Sequence, residues 1–458
     1  MARSDETRPA EVTPATGAKQ AGETRPTEWA WVERTVWTSR MLEALERGVK
    51  GGVWYSLMDK VFRKATLRRA FERVQARKGG SGVDGQTIEQ FGERLESELE
   101  RLERELRTGS YRPRPIKRRW IPKPGSREKR PLGIPAVRDR VVQAALVMVL
   151  EPIFEREFVD TSYGFRPERG AKDALRRVQE LLDAGYVWVV DADLKGYFDS
   201  IPKDRLRKAV SERVADGRVL ALVDRFLEQP VLDGLESWTP IAGTPQGAVL
   251  SPLLANLYLH PVDQEVAAAG YEMVRYADDF VILCRSREEA EAALALVERL
   301  IAERGLTLHP DKTRIVHTTD TDGKVRFYDS PHGFDFLGYH FEGRQRWPRA
   351  KSLRAFKDRL RDKTRPNNGR SLDETIADCN RTLRGWFGYF KHSHRWTFRP
   401  LDQWLRRRLR TLLRRHQHRH GISKKGLDHQ RWPNAFFTAH GLFCLEAARA
   451  ACLRSGSG

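Results

Sequence analysis

The spacing of apolar residues changes several times along this chain, and each change marks a segment. Residues 1–28 are rich in Pro, Thr, Ala, Glu and Gly and hold little to bury, which predicts a disordered tail. From Trp29 to about Arg77 apolar side chains recur at helical intervals, first as Met41, Leu42 and Leu45, then as Trp54, Leu57, Met58, Val61 and Phe62. Glycines between 79 and 85 predict a loop. The run ERLESELERLEREL after it reads as a solvated amphipathic helix ending near Leu106, with no chemistry assigned to it.

Beyond that helix the period shortens. WIPKPGSREKRPLGIP (Trp120 to Pro135) has two β-prone pieces around a Lys/Gly/Ser/Arg turn, the pattern of a hairpin with a basic tip. Lys123 and Arg130 have the chemistry to grip a triphosphate, Lys as a point charge and Arg as a planar fork; standing alone they would read as an exposed basic loop. RVVQAALVMVLEPIFEREF predicts an apolar helix, and SYGFRPERGAKDAL a loop suited to lie near a backbone phosphate. YVWVVDADLKGYFDSI (Tyr186 to Ile201) reads as a buried strand running into acidic residues, with Phe198 in the turn that follows. GTPQGAVLSPLLANLYL (Gly243 to Leu259) opens a long apolar helix with Gly and Pro, an arrangement in which amides and the positive helix end could face a phosphate. A helix from Glu288 to Arg304, then GLTLHPDKTRI with Lys312, then a hairpin FDFLGYHF around Gly338 complete this part.

Within VRYADDFVILCRS, two β-prone flanks enclose Asp278 and Asp279, which places both carboxylates at a hairpin tip. Two carboxylates about 4 Å apart repel by roughly 4 kcal/mol at an effective dielectric of 20. A divalent cation between them removes that repulsion, and oxygen-only ligands suit Mg²⁺, the ion of nucleotidyl transfer. In a strand, residues i and i+2 share a face, so Asp191 and Asp193 project together. Asp-Asp is also a good turn dipeptide, and a strand-end Asp also caps helices, so the rest of the chain has to decide.

Composition changes the picture in one region. The 458 residues carry a formal charge of +20 and a pI near 10.0, which predicts two or three domains and a polyanionic partner. Residues 343–432 hold 26 Lys/Arg against 7 Asp/Glu, a net of +19, leaving 56 against 55 everywhere else. There, Leu383, Trp386, Phe387 and Phe390 form one helical face, and Leu401, Trp404, Leu405, Leu409, Leu412 and Leu413 another. The second helix carries Arg406, Arg407, Arg410, Arg414 and Arg415 opposite its apolar face, with no acidic residue between Asp402 and Asp428. Like charges so concentrated point to RNA or DNA contact, extended by Arg384 and Lys391 and by the clustered His416, His418 and His420. Cys284, Cys379, Cys444 and Cys452 show neither disulfide density nor metal-ligand spacing, which fits a reducing cytosol. No run of 18 apolar residues and no signal-peptide segment is present, so the expectation is a cytoplasmic protein with no membrane partner.

Taken in order, GVDGQT, IPKPGSREKRPLGIP, DRVVQAALVMVLEPIFE, SYGFRPERGAKDA, DADLKGYFDSI, GTPQGAVLSPLLANL, YADD, GLTLHPDKT and FDFLGYHF resemble a bacterial group II intron-encoded reverse transcriptase/maturase over roughly residues 36–345. CNRTLRGWFGYFK resembles the maturase-specific domain, and RWPNAFFTAHGLFCL the tail of members that lack an endonuclease. The resemblance implies an α+β fold: a right-hand polymerase with fingers and an antiparallel palm sheet over 29–345, an α-helical thumb/maturase domain over 346–430, and a short C-terminal tail over 431–458. It implies that Asp193, Asp278 and Asp279 are the catalytic, metal-binding aspartates, with the Leu194 carbonyl as a further metal ligand. It implies two Mg²⁺ ions, Mn²⁺ being possible, one acting on the primer 3′-OH and one on the pyrophosphate. Lys123, Arg130, Gln246 and Lys312 match positions that hold the dNTP, and Phe198 the position that excludes a ribose 2′-OH. Asp191 matches no catalytic position.

The partners implied are group II intron RNA, an RNA template with a DNA or RNA primer, target DNA and dNTPs. The activity implied is RNA-directed DNA synthesis combined with splicing assistance and target-primed mobility. Only 26 residues follow Trp432, with no room for the Cys/His endonuclease of many relatives, so priming from a nascent or RNA-cut strand is expected. A domesticated reverse transcriptase serving DNA repair or phage defence is the alternative; a splicing factor with a dead polymerase conflicts with the three intact aspartates.

Overall fold

The computed structural model describes residues 29–122, 129–319, 332–365, 369–417 and 426–455. The predicted tail (1–28), Lys123, His418 and His420 lie outside the described residues. Helices α1 (Lys64–Arg77), α2 (Leu95–Thr108) and α3 (Val137–Glu155) share one core, into which Phe71, Leu99, Leu102, Val141 and Leu146 point. Buried residues occur all round α3, which is why its apolar run shows no clean helical period. The hairpin expected at Trp120–Pro135 forms as β1 (Ile116–Pro122) and β2 (Lys129–Ile134).

Two further strands, β4 (Val231–Asp233) and β5 (Glu236–Trp238), extend that hairpin into a four-stranded sheet in the order β2-β1-β4-β5. A second four-stranded sheet, β6-β7-β3-β8, is built from β3 (Trp188–Asp193), β6 (Glu272–Tyr276), β7 (Asp279–Cys284) and β8 (Arg314–His317), all pairs antiparallel. Both of its faces are covered. Val190, Met273, Phe280 and Ile282 join the large core with α5 (Ser251–Ala268) and α6 (Arg287–Glu303). Val189, Val274, Val281 and Leu283 pack instead on α4 (Ala171–Asp183) and on the small sheet of β9 (Phe334–Phe336), β10 (Tyr339–Glu342) and β11 (Gln345–Pro348). Two-sided burial explains the unbroken apolar runs VWVV and FVILC.

The basic region folds into α7 (Ala350–Lys363), α8 (Leu372–Phe390), α9 (Phe398–His416) and α10 (Leu445–Ser455). Leu383, Phe387, Leu401, Leu405 and Leu409 form its core, as their spacing predicts, and Leu353 and Phe356 of α7 join them. Trp432, Phe437, Leu442 and Leu445 belong to that same core. The segment expected to be a separate tail from 431 is therefore part of the helical unit. Phe390 also packs with Tyr339 and Phe341, and the Tyr389 hydroxyl donates to Leu337 O at 2.7 Å, which anchors the helical unit to the small sheet. Among the described residues no helix is long and apolar enough to cross a membrane.

Candidate active site and nucleic-acid interface

Strand register brings the acidic residues together. Asp193, at the end of β3, stands directly opposite Asp279, the first residue of β7. Asp279 in turn faces Tyr276 across the β6–β7 hairpin, with Ala277 and Asp278 forming the turn. Ala277 holds φ at 61°, a left-handed conformation that costs an L residue about 1 kcal/mol or more. The backbone after β3 is pinned as well: the His309 amide donates to Asp193 O at 2.8 Å, and buried Leu194 forms a bridge with Leu308.

The electrostatics follow from this crowding. Burial, then the charges of Asp191, Asp193 and Asp278, push Asp279 up to about 7. Burial also raises Asp278. Asp191 is pushed up to about 6 by burial, although Arg314 pairs with it at 3.3 Å. Lys312 pairs with the Asp193 carboxylate, so here it serves the acidic cluster directly. Among the described residues no three His, Cys, Asp or Glu side chains converge closely enough to hold one ion. The donor chemistry nonetheless fits a hard divalent cation: carboxylates whose charged form is disfavoured first by burial and then by one another are what such an ion stabilises.

Beside the aspartates, the nucleotide-side candidates are joined through backbone contacts. Phe198 lies in a one-turn helix (Tyr197–Ser200) rather than an open turn, half-buried against Tyr197. Its carbonyl accepts from the Thr244 amide at 2.7 Å, and a Cβ at Gly243 would come within 2.6 Å of the same oxygen. Gln246 is half-buried, and its carbonyl accepts from the Gly133 amide of β2 at 2.7 Å. Arg130 is exposed on β2, paired in register with Ile121. The expected anion-facing entry to α5 has two of its amides occupied from within the protein. The Val249 and Leu250 amides donate to the side-chain oxygen of buried Gln143, at 2.8 and 3.4 Å, so these amides are already satisfied by α3. Gln143 escaped the sequence reading; its signal was a lone amide inside the apolar run VVQAALV.

On α9 the five arginines separate. Arg407 and Arg415 are exposed and Arg406 half-buried. Arg410 is 1% exposed, donates to Trp432 O at 2.9 Å and Asn434 Oδ1 at 3.0 Å, and lies over the Phe437 ring. As a nucleic-acid contact Arg410 is therefore corrected: burial and its bonds to Trp432 and Asn434 make it a structural tie. Arg414 pairs with buried Asp428 at 3.2 Å and is 14% exposed at its side chain, so it too is turned inward. Arg384 is exposed above Phe443, and Lys391 is half-buried.

Carboxylates at the tip of an antiparallel palm sheet, a fingers sheet joined to the loop beside them, and a basic helical unit behind define a polymerase of the right-hand class. Residues 121–341 match the family described as reverse transcriptase (RNA-dependent DNA polymerase), and residues 353–432 match the group II intron maturase-specific domain. The chain is 36% identical over 299 residues to the protein YkfC of Escherichia coli (strain K12), covering 56% of this chain and 74% of YkfC. It is 36% identical over 199 residues to the group II intron-encoded protein LtrA of Lactococcus lactis subsp. cremoris, covering 43% of this chain but only 33% of LtrA. Among solved structures, a chain of a Cas6-RT-Cas1–Cas2 complex matches with a TM-score of 0.34 at 24% identity, over 54% of this chain and 41% of that one. The chain belongs to the group II intron-encoded reverse transcriptases/maturases, a family of RNA-directed DNA polymerases that assist intron splicing.

Proposed function

We propose that this chain copies RNA into DNA with Asp193, Asp278 and Asp279 as its catalytic carboxylates, and that its basic helical unit holds the intron RNA it helps to splice. The observation that carries this reading is the register that sets Asp193 against Asp279 with Asp278 in the adjoining turn. Bound divalent ions, Mg²⁺ by preference, would supply charge neutralisation at the transferring phosphate and a more acidic primer hydroxyl. The three aspartates and the Leu194 carbonyl would hold them. Arg130 and Lys123 grip the triphosphate, Gln246 and Phe198 border the base and sugar, and Lys312 offsets the acidic cluster near the phosphates. Phe198 excludes a 2′-hydroxyl by bulk. Arg384, Lys391, Arg406, Arg407 and Arg415 meet RNA phosphates.

Polymerisation needs the carboxylates, whereas splicing assistance needs only RNA binding. Changing Asp278 and Asp279 together to Ala is expected to abolish primer extension on an RNA template while leaving splicing of a cognate precursor RNA near wild type. Truncation before Arg381 is expected to remove splicing assistance and weaken extension. Loss of both activities in a folded double-aspartate variant would sink the reading of one protein with two separable roles.

A further inference from the structure

Three residues before Asp278, the strand that feeds the catalytic turn contains a charged side chain that is almost wholly buried. Arg275 is 2% exposed. Its Nε donates to Asp263 Oδ1 at 2.6 Å and its Nη2 donates to Asp263 Oδ2, a two-pronged pair with α5. Its Nη1 is directed elsewhere, donating to Ala277 O at 2.9 Å and to Asn256 Oδ1 at 3.1 Å. Asn256 continues the chain of contacts, its Nδ2 donating to Gly164 O at 2.7 Å. Gly164 lies so close to the turn that a Cβ there would collide with the Ala277 amide nitrogen. The main chain of Arg275 is clamped too, its amide donating to Thr161 O at 2.9 Å and its carbonyl accepting from Tyr163 N at 2.8 Å.

We infer that Arg275 is a positioning residue for nucleotidyl transfer: aligned by Asp263 and Asn256, its guanidinium holds the Ala277 carbonyl and so sets the turn from which Asp278 and Asp279 project. This rests on the polymerase reading above. The need for such a hold is physical. Ala277 is buried and left-handed, a conformation its Cβ disfavours, and it persists only where surrounding contacts over-determine it. The carbonyl of Ala277 belongs to the peptide that carries Asp278. If that peptide rotated, the oxygen would lose its donor inside the protein and the carboxylate would swing with it. Only a planar fork can grip a carboxylate on one side and two further acceptors on the other; a lysine ammonium offers one point of attachment. A buried ion pair is not an economical way to fill space, since well-packed apolar residues usually stabilise as well or better. Its place here, touching the turn backbone, suits orientation rather than bulk stability.

The test uses the full chain with Arg275→Lys and, separately, Asn256→Ala, which leaves the Arg275–Asp263 pair intact. Thermal unfolding and intron-RNA affinity report folding, and pre-steady-state primer extension reports active-site number and rate separately. A misplacement of about 1 Å is worth roughly 10²-fold in rate. Arg275→Lys is therefore expected to slow the first nucleotide addition by about 10²-fold at saturating dNTP, and Asn256→Ala by about tenfold. Burst amplitude, dNTP affinity and intron-RNA affinity should stay within about threefold of wild type. The Mg²⁺ concentration for half-maximal rate should rise, because the carboxylates are less well ordered to receive the ion. A role confined to packing would instead lower burst amplitude and melting temperature together, with the rate per active site and the Mg²⁺ midpoint unchanged; that outcome overturns the inference. If Arg275→Lys fails to fold, a rate for Asn256→Ala equal to wild type overturns it alone. A wild-type chain that extends no primer overturns the polymerase reading and this inference with it.

Discussion

Glu151 sits in α3 among Val149, Leu150, Pro152 and Ile153, all buried, and burial pushes its carboxyl up to about 7, with Arg73 and Arg77 pulling it part of the way back. The folded chain therefore holds a proton there that the unfolded chain releases near its ordinary value of 4.5. Stability linked to this group is greatest below that ordinary value. It falls as pH rises towards about 7 and is level above it. At about 1.4 kcal/mol per pH unit, the loss across that window is on the order of 3 kcal/mol. Glu151→Gln is expected to match wild type near pH 4.5 and to be more stable by about 1–3 kcal/mol at pH 8. Urea unfolding at the two pH values checks this, and an advantage equal at both would contradict it. The same physics acts on Asp279, where the charges of Asp191, Asp193 and Asp278 add to the effect of burial.

Helix α9 shows what periodicity settles within an element. Leu401, Leu405, Leu409 and Leu412 repeat at helical spacing, and all are buried. Its arginines look equivalent by spacing, yet Arg410 and Arg414 face a segment 12 or more residues downstream. Replacing Arg406, Arg407 and Arg415 with Gln should flatten the slope of log K against log salt for RNA by about two to three units, near 0.7–0.9 per lost phosphate contact. Arg410→Gln should leave that slope alone and lower the melting temperature, since it strands acceptors at Trp432 and Asn434. Titrations of intron RNA between 50 and 200 mM salt separate the two classes.

For the molecule as a whole, the helical unit closes only when residues 431–445 dock. Trp432, Phe437, Leu442 and Leu445 fill its core, and Asp402 of α9 accepts from the Leu445 and Glu446 amides at 3.0 Å each, capping α10. Deleting residues 431–458 is expected to act as a multiple large-to-small core change, each buried side chain being worth roughly 2–5 kcal/mol. The helical unit should then melt early or not fold, with intron-RNA affinity lost. Short, unprocessive extension should persist, because the β6-β7-β3-β8 sheet shares a separate core with α1, α2, α3, α5 and α6. Calorimetry of the truncated chain, paired with gel-shift on intron RNA, tests this; an unchanged melt would make the segment a mere appendage.

The order of elements, the hairpin tip bearing Asp278 and Asp279, and the basic helical region were legible in the sequence, because strand alternation, helical spacing and charge density are local properties. The nine motifs in order were enough to name the family, since each is a short run whose meaning does not depend on distant neighbours. What the tertiary structure alone decided is which residues face each other across long sequence gaps. It set Asp193 against Asp279, turned Gln143 onto the entry of α5, and drew Arg410 into the core. It also buried Arg275 beneath the turn, where VRYADD showed only a charge between apolar neighbours. Burial and pairing are fixed by contacts between elements, and a side chain's spacing within its own element carries no record of what will dock upon it.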